Sequence, residues 1–405
     1  MRDDGAVAAR LERKDVQAAK AMLPRCLPEV AHVRRGSTGG GSRLTRVQTI
    51  SFARGVPAPE CIPVQELADC ARAAVERDGA TVLSYGPVAG YEPLREWIGA
   101  RHGVDPARVL VTNGSLQGIV FLAERFAGRR VLVEAPTYDR PLKILAARGI
   151  EVTPVAMDDE GLELPALEDA LRAGTKPAFL YTIPTFQNPS GRTLTVERRH
   201  RLVELARKHD LLMLEDDPYG LVRFEGDAPP TLFELDDGER VVYSSSFSKT
   251  IAPGLRVGYF VLPRTLEQEL EALAVSTYIT PVLLGQATVF EFLRRGNLEP
   301  NLERVRLLLR ERRDAMLEAL EQQLPSGRWS RPQGGYFVWL ELPEHVDAAA
   351  LLDRAAESGI TFVPGTDFGG EPNTARLAFS FVSPEQIREG VQRLGALVAE
   401  PVTVR

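Results

Sequence analysis

Six short runs of apolar residues constrain the fold of this chain more than any other feature of its sequence. The runs cover residues 109–111, 131–133, 179–181, 211–214, 241–243 and 257–261, and helix-like stretches separate them. Runs without alternating polar residues are typical of strands that are buried on both faces. Alternating strands and helices predict a mostly parallel sheet with right-handed crossovers and helices on both faces. We therefore predict an α/β large domain.

The sequence outside these runs predicts further regions. Helical patterns occupy residues 65–77 and 92–102, and residues 264–324 are charged and helically periodic, which predicts a helical link to the last part of the chain. Strand-like runs at 336–340, 360–363 and 376–379, with helical stretches at 348–357 and 384–398, predict a small α+β domain. A Gly- and Ser-rich run at 34–42 predicts a flexible N-terminal segment. The predicted organisation is a flexible segment of residues 1–46, a large domain of 47–300 with an N-terminal arm, and a small C-terminal domain of 301–405.

Composition and charge exclude several classes of protein. The chain has 405 residues and a net charge of −6, and its basic residues are scattered among acidic ones, which argues against nucleic acid as a partner. No window approaches the roughly 18 unbroken apolar residues of a membrane span, so no membrane partner is predicted. Cys26, Cys61 and Cys70 form no CxxC pair, which argues against a disulfide framework and against a metal site. Because the N-terminus also lacks an apolar leader, we predict a cytoplasmic protein.

Polar residues that follow the predicted strands are the candidates for a binding site, because ligands of open α/β sheets lie beyond the carboxyl ends of the strands. The small-residue turn at 112–118 precedes a helix and offers backbone N–H groups to an anion such as phosphate. Taken alone, such a turn more often only caps a helix. A second candidate segment, residues 215–220, places three acids and a tyrosine at the end of a strand.

A third segment places one lysine, Lys249, among small hydroxyl side chains at 244–250, and an arginine follows it at Arg256. A single lysine or aspartate is usually a solvated surface residue, so neither residue alone indicates a site. The combination of an anion-binding turn, acids and a lysine at successive strand ends favours a binding site over solvated surface positions.

These segments, taken in order, resemble the fold-type I pyridoxal-phosphate (PLP) enzymes, and among them the aminotransferase class I/II family with its 2-aminoadipate transaminase-like subgroup. The resemblance extends from about residue 50 to the C-terminus. The motifs that carry it lie at residues 84–86, 90–95, 137–138, 184–191, 215–220, 246–258, 334–337 and 376–377. The resemblance implies PLP as cofactor and a PLP-dependent transferase fold with a large domain and a smaller C-terminal domain.

The resemblance also implies roles for residues around the cofactor ring. Lys249 is expected to hold the cofactor as a Schiff base and to serve as general acid and base. Asp216 is expected to keep the pyridine nitrogen protonated, so that the ring can accept electrons. Tyr219 and Asn188 are expected to donate hydrogen bonds to the ring oxygen, and Tyr138 to stack on the ring face.

Further residues are expected to hold the phosphate and the substrate. The resemblance places these side chains and backbone groups at the phosphate: Ser115, Leu116, Gln117, Ser246, Ser248 and Arg256. Tyr85 resembles the tyrosine that reaches the phosphate of the neighbouring subunit, which implies a homodimer with shared active sites. Arg376 is expected to grip the substrate α-carboxylate bidentately, with Asn188 beside it.

The sequence departs from the family pattern at two positions near the substrate. The subgroup usually carries small glycines where this chain has Phe52-Ala53-Arg54-Gly55, so Arg54 either recognises an acidic or extended substrate or points to solvent. A charged pair at 139–140 stands where the subgroup is usually small or apolar. The identity of the substrate is therefore left open.

Three functions are compatible with these residues. The first is an aminotransferase that moves the amino group of an α-amino acid to a 2-oxo acid, with 2-oxoglutarate as a candidate acceptor. The second is a PLP-dependent lyase, a replacement enzyme, or a cyclising or C–C bond-forming enzyme of specialised metabolism, which needs the same cofactor residues. The third, a transcription regulator with this domain behind a winged helix, is disfavoured because the 46 preceding residues are too few and too rich in glycine.

Overall fold

The computed structural model describes residues 49–236 and 239–399, all of which belong to one compact unit. The predicted flexible segment, residues 1–46, lies outside the described residues. The strands of the described part are β1 Ile50–Ser51, β2 Val109–Thr112, β3 Arg130–Ala135, β4 Glu151–Asp158, β5 Gly161–Leu162, β6 Phe179–Thr182, β7 Met213–Asp216, β8 Val241–Ser246, β9 Gly258–Val261, β10 Arg328–Trp329, β11 Phe337–Glu341, β12 Ile360–Thr361, β13 Val363–Pro364 and β14 Thr374–Ala378.

Helices connect most of these strands, and several begin or end at a residue whose local chemistry explains the boundary. The α-helices of the described part are α1 Val64–Val82, α2 Glu92–His102, α3 Ser115–Arg125, α4 Asp139–Ala146, α5 Leu164–Arg172, α6 Val196–His209, α7 Leu232–Leu235, α8 Glu267–Tyr278, α9 Leu283–Arg294, α10 Leu298–Gln323, α11 Ala348–Glu357 and α12 Pro384–Ala399. The side chain of Thr195 caps the start of α6, and Gly103, in a left-handed conformation, ends α2. None of the helices found in the described residues combines the length and the hydropathy that crossing a bilayer demands.

The central sheet has eight strands in the order β2-β9-β8-β7-β6-β3-β4-β5. Strands β4, β3, β6, β7 and β8 run parallel to one another, whereas β9 is antiparallel to both β2 and β8, and β5 is antiparallel to β4. The prediction of a mostly parallel α/β sheet is therefore confirmed for its centre.

Helices pack against the apolar side chains on both faces of this sheet. Successive side chains of a strand point to opposite faces. Accordingly Leu180 and Met213 pack in one hydrophobic cluster, while Tyr181 and Leu214 pack in another. Strands β6 and β7 are buried along their whole length, which explains why their sequences show no polar alternation.

The structure changes two of the predicted strands. The run at 211–214 begins its strand only at Met213 and extends to Asp216, so the acid lies inside the strand end and not after it. The run at 360–363 is not one strand. Ile360–Thr361 pairs in parallel with Ile50–Ser51, and Val363–Pro364 pairs with Thr374–Ala378, because the chain leaves one sheet and enters another at Phe362.

The C-terminal part contains a four-stranded antiparallel sheet in the order β10-β11-β14-β13; α11 lies against β13, and α12 lies against the two-stranded sheet of β1 and β12. This arrangement agrees with the small α+β region expected from the sequence. The predicted boundary at residues 300/301 falls in the first turn of the long helix α10, and the division into a large and a small domain stays a prediction.

Candidate active site

The parallel strands β3, β6, β7 and β8 end at the same edge of the central sheet, and the candidate residues gather there. Asp216 is the last residue of β7, and its partner across the ladder is Ser244 of β8. Ser246 ends β8, and the chain then turns through Lys249 before it re-enters the sheet as β9. The antiparallel direction of β9 keeps both flanks of this lysine turn at the same edge.

The amine of Lys249 projects into a space lined by aromatic rings and backbone. Its Nζ donates a hydrogen bond to the carbonyl of Gly55 (2.8 Å) and lies 5.3 Å from the ring centroid of Tyr336 and 5.8 Å from that of Tyr219. Burial, followed by the positive charges of Arg376 and Arg256, lowers the pKa of Lys249 to about 8. About a tenth of this amine is therefore neutral, and hence nucleophilic, at pH 7, far more than at its ordinary pKa.

Asp216 is almost completely buried and accepts hydrogen bonds from two hydroxyl groups. The Tyr181 hydroxyl donates to Oδ2 (3.0 Å), and the Ser244 hydroxyl donates to Oδ1 (3.2 Å). Burial raises the pKa of Asp216 to about 6, although both hydroxyl groups act in the opposite direction. A buried carboxyl in this state is suited to share a proton with a cationic N–H group of a ligand.

A cradle for an anion lies at the start of α3. Arg256 adopts a left-handed backbone conformation (φ 54°, ψ 47°), and its guanidinium lies 3.3 Å from the carbonyl oxygen of Asn113 and 3.5 Å from the Ser248 hydroxyl. The hydroxyl groups of Ser246 and Ser248 are 2.9 Å apart. The N–H groups in the first turn of a helix have no partner within the helix, so this corner combines a cation, hydroxyl groups and free donors.

Close backbone approach forms this corner and requires a glycine. A Cβ atom on Gly258 would lie 2.3 Å from the backbone nitrogen of Ser115. Ser115 and Leu116 open α3, whereas the backbone N–H of Gln117 already donates to the carbonyl of Gly114 (3.1 Å) and its side chain accepts from the N–H of Asn113 (2.8 Å). Gln117 therefore serves to shape the turn.

Arg376 lies on β14 and joins the C-terminal sheet to this site. It is only 8% exposed and donates to Oδ1 of Asn188 and to the carbonyl of Ala53, both at 2.9 Å. The rings of Phe337 and Phe368 flank the guanidinium with centroids at 4.4 and 4.8 Å. Its Nε is buried without a hydrogen-bond partner in the described part of the chain, which leaves a donor for a further acceptor.

Three more residues of the predicted set line the same space. Tyr219 is buried, and burial raises its pKa. Tyr138 is partly buried before α4, and burial, followed by the charges of Asp139 and Asp216, raises its pKa to about 12. Because Oδ1 of Asn188 accepts from Arg376, its amide NH₂ remains available as a donor.

Two predicted residues are not brought into contact with these groups. The side chain of Tyr85 is 83% exposed, in a loop where the N–H of Gly86 donates to the hydroxyl of Thr280 (3.2 Å). Arg54 is exposed, and its guanidinium carbon lies 4.3 Å from the centroid of Phe381. The structure thus leaves both side chains at the surface of this chain.

Sequence reasoning missed four contributors to the site. They are the carbonyl of Gly55, the hydroxyl groups of Tyr181 and Ser244, and Tyr336, whose hydroxyl donates to the carbonyl of Lys249 (3.0 Å). Tyr181 lies in the apolar run at 179–181, which predicts a buried strand and no binding residue. Its place at the carboxyl end of that run was a usable signal, because neighbouring parallel strands end together.

The side chains present fit PLP. The cofactor has an aldehyde, a pyridine nitrogen and a phosphate, and the site offers a partly neutral amine, a buried acid and an anion cradle for these three groups. The unpartnered Nε of the buried Arg376 adds a place for a carboxylate. When bound, PLP supplies an electron sink that stabilises negative charge at the substrate Cα.

The aminotransferase class I and II family model matches residues 59–394. A 2-aminoadipate transaminase of Thermus thermophilus is 42% identical over 85% of this chain and 89% of its own length, and an aromatic-amino-acid aminotransferase of Thermococcus litoralis is 36% identical over 87% and 88%. The crystal structure of an α-aminoadipate aminotransferase of Thermus thermophilus, in complex with N-(5'-phosphopyridoxyl)-L-leucine, is 39% identical, covers 86% of this chain and 92% of that chain, and has a TM-score of 0.83. The chain therefore belongs to the aminotransferase class I and II family and is a PLP-dependent aminotransferase of fold type I.

Proposed function

We propose that Lys249, Asp216 and Arg376 are the central residues with which this aminotransferase moves an amino group from an α-amino acid to a 2-oxo acid. The observation that carries the proposal is their convergence. A lysine with a lowered pKa, a buried acid and a buried arginine with a free donor come from different parts of the sequence to one end of the sheet. The lyase alternative gains no support from relatives that are named as aminotransferases.

Lys249 is proposed to form the covalent bond to the cofactor and to move protons at its Nζ atom. An amine with a pKa of about 8 can lose and regain a proton near neutral pH with little cost in free energy. The positive charges of Arg376 and Arg256 favour the neutral amine, since each repels the ammonium form. Loss of the bond to the Gly55 carbonyl frees Nζ for this work.

Asp216 and the residues around it are proposed to orient the ring of the cofactor. The Asp216 carboxylate holds a proton on a facing ring nitrogen, while Tyr219 and the amide NH₂ of Asn188 donate to the ring oxygen. Tyr138 supplies an aromatic face for stacking. Asn188 also contacts Arg376, which links the orientation of the ring to that of the substrate.

The phosphate is proposed to bind in the cradle at the start of α3. Arg256 supplies a planar cation, and the remaining ligands are hydroxyl groups and first-turn backbone donors. The proposed set consists of Ser115, Leu116, Gln117, Ser246, Ser248 and Arg256. Gln117 contributes by holding the turn, because its backbone N–H and its side-chain oxygen are already engaged.

Arg376 is proposed to bind the α-carboxylate that amino acid and 2-oxo acid substrates share. Its fork geometry suits a bidentate carboxylate, and its two aromatic neighbours keep water away from the guanidinium.

Arg54 is proposed to recognise a second, acidic group of an extended substrate. It lies between Ala53 and Gly55, whose carbonyls bind Arg376 and Lys249. If Arg54 only points to solvent, Arg54→Ala will leave the ratio of 2-aminoadipate to phenylalanine turnover unchanged.

We propose a cytoplasmic homodimer with shared active sites. A hydrogen bond from Gly86 to Thr280 joins the loop with exposed Leu83 and Tyr85 to the loop with exposed Ile279 and Val282, and clustered exposed apolar side chains are typical of a protein interface. Lys249→Ala and Tyr85→Ala subunits, each inactive alone, are expected to regain activity when mixed and reassembled, because one of the two sites then has both native residues. If the mixture recovers no activity, the two subunits do not share their active sites.

The free cysteines support a cytoplasmic location. Cys61 and Cys70 are buried and unpaired, which is typical of proteins in a reducing compartment.

Borohydride reduction tests the covalent assignment directly. The purified protein is reduced with borohydride, digested, and searched by mass spectrometry for a pyridoxyl group on Lys249. Lys176→Ala is the matched control, because Lys176 is an exposed lysine that pairs with Asp210 and precedes the first residue of β6, whereas the site lies at the other end of the strand. We expect the label on Lys249 in the parent and in the control, and none in Lys249→Ala. Label on a different residue would overturn the assignment, and failure of 2-aminoadipate, phenylalanine and other amino acids to support transamination to 2-oxoglutarate would contradict the proposed reaction.

A further inference from the structure

Two hydroxyl groups from two different strands hold the acid that we propose to face the cofactor ring. We infer that Tyr181 is a positioning residue that acts through Asp216, and that its hydroxyl keeps the proton shared with the cofactor on the ring nitrogen. The inference rests on the proposed function, since it requires the pyridine nitrogen to lie at Asp216.

The strand register fixes the contact. Tyr181 on β6 lies opposite Leu214 on β7, so its hydroxyl reaches along the sheet edge to Asp216 two residues further on. Ser244 on β8 is the direct ladder partner of Asp216 and reaches it from the other side. Each carboxylate oxygen is thus held by a donor from a different neighbouring strand, and the carboxyl group cannot rotate without breaking one of these bonds.

These hydroxyl groups determine where a shared proton rests. A hydrogen bond donated to a carboxylate stabilises its charged form. When the carboxylate faces an N–H⁺ group, this stabilisation disfavours transfer of the proton to the carboxyl and keeps it on nitrogen. Loss of the Tyr181 hydroxyl therefore moves the proton from the ring nitrogen towards an oxygen of Asp216, with no other bond made or broken. The ring then accepts electrons less well.

Other groups near Asp216 act against its charged form. Burial has the largest effect, and the neighbouring acids Asp217 and Glu134 act in the same direction. The titratable groups that interact with Asp216 come from several elements packed around it, and they are Glu134, Tyr138, Tyr181, Asp217, Tyr219 and Lys249. Among the described contacts of Asp216, the two hydroxyl groups are its hydrogen-bond donors, so they oppose both burial and repulsion.

The next strand provides a matched control. The hydroxyl of Tyr243 on β8 donates to Oδ2 of Asp217 (2.9 Å), and Tyr243 is buried like Tyr181. Tyr243→Phe therefore removes the same atom from an equivalent tyrosine–aspartate pair one position along the chain. Asp217 also accepts a hydrogen bond from the N–H of Gly220 (2.8 Å), and it has no role in the proposed cofactor site.

The experiment uses holoenzymes reconstituted with PLP labelled with ¹⁵N in the ring. The ring-nitrogen chemical shift reports the protonation of the ring independently of turnover. Steady-state turnover of an amino acid with a 2-oxo acid gives kcat and KM. For Tyr181→Phe we expect the resonance to move towards the unprotonated ring and kcat to fall roughly ten- to a hundredfold, the range for a hydrogen bond to a charged group, at unchanged KM. Tyr243→Phe is expected to retain the native resonance and kcat. Ser244→Ala, which removes the second donor, should move the resonance in the same direction and replaces Tyr181→Phe if that variant does not fold.

The outcomes separate failure of the inference from failure of the proposed site. If Asp216→Ala leaves the ring-nitrogen resonance unchanged, the pyridine nitrogen does not lie at Asp216, and the proposed placement is wrong. If Asp216→Ala moves the resonance but Tyr181→Phe does not, the placement stands and the role of Tyr181 is refuted. Equal shifts in Tyr181→Phe and Tyr243→Phe would also overturn it, because they would indicate a general effect of losing a buried hydroxyl.

Discussion

Replacement of Arg376 by alanine should lower activity mainly through the loss of recognition of the substrate carboxylate. The guanidinium is buried between two aromatic rings, and two of its nitrogens already hold Asn188 and the Ala53 carbonyl. A carboxylate that binds here gains about two charge-assisted hydrogen bonds, each contributing about 1.5–3 kcal/mol. The loss is therefore about 3–6 kcal/mol, which corresponds to a fall in kcat/KM of roughly 10²- to 10⁴-fold.

The assay compares an amino acid with the amine that lacks its carboxylate. In the parent enzyme, kcat/KM in the half-reaction should be far higher for the amino acid, whereas Arg376→Ala should treat the two compounds almost alike. Arg130→Ala is the control for loss of a buried arginine, because Arg130 binds backbone carbonyls at the opposite end of β3. Arg130→Ala should lower the unfolding temperature but preserve the preference for the amino acid.

Two results would refute this reasoning. A fall in kcat/KM of less than about tenfold for the amino acid would mean that the predicted pair of charge-assisted bonds does not form. An equal fall for the amine would mean that Arg376 acts by maintaining the site and not by binding a carboxylate. Unfolding measurements on both variants separate this second case from global destabilisation.

Three further predictions follow from the geometry. The rate of covalent capture of PLP by the apoenzyme should rise about tenfold per pH unit and level off near pH 8, because the neutral amine of Lys249 is the nucleophile and its pKa is lowered to about 8. A rate that keeps rising towards the ordinary lysine pKa of 10.5 would contradict this assignment. Gly258→Ala should weaken PLP binding and lower the unfolding free energy by about 1–3 kcal/mol, since its Cβ would collide with the Ser115 backbone, whereas Gly254→Ala, with open space around it, should be close to neutral in both measurements. Glu134→Ala should lower the unfolding free energy by about 3 kcal/mol in denaturant titrations, because this buried carboxyl accepts hydrogen bonds from three donors. The donors are the Thr182 hydroxyl, the N–H of Ile183 and the side-chain amide of Gln187. An unchanged unfolding midpoint would show that water replaces the carboxyl group.

The local sequence was sufficient to predict the elements of the large sheet and the residues at their ends. Apolar runs identify buried strands because burial on both faces leaves no room for polar alternation. The turn at 112–118, the acids at 215–217 and the lysine at 249 follow such runs directly, so their neighbourhood in space follows from the rule that parallel strands share one edge. The family resemblance then gave these residues their expected roles.

The edge strands and the C-terminal part were predicted less well. Strand β4 was missed because its side chains are mostly exposed or half-buried and show no apolar run. The direction of β9 was not predictable, since an apolar run does not reveal which way the chain crosses the sheet. The division of 360–363 between two sheets likewise depends on pairing with residues about 310 positions away, as in the Thr361–Ser51 hydroxyl contact.

The sequence by itself thus predicted the type of sheet and the segments that carry Lys249, Asp216 and the turn at 112–118, because each is encoded within a few neighbouring residues. Only the tertiary structure decided which groups surround them. Arg376 meets Asn188 across 188 positions, and Lys249 meets the Gly55 carbonyl across 194. Tyr181 meets Asp216 only because β6 and β7 pair in one particular register. Such contacts arise from packing between segments that are distant in the sequence, so the local sequence pattern does not predict them.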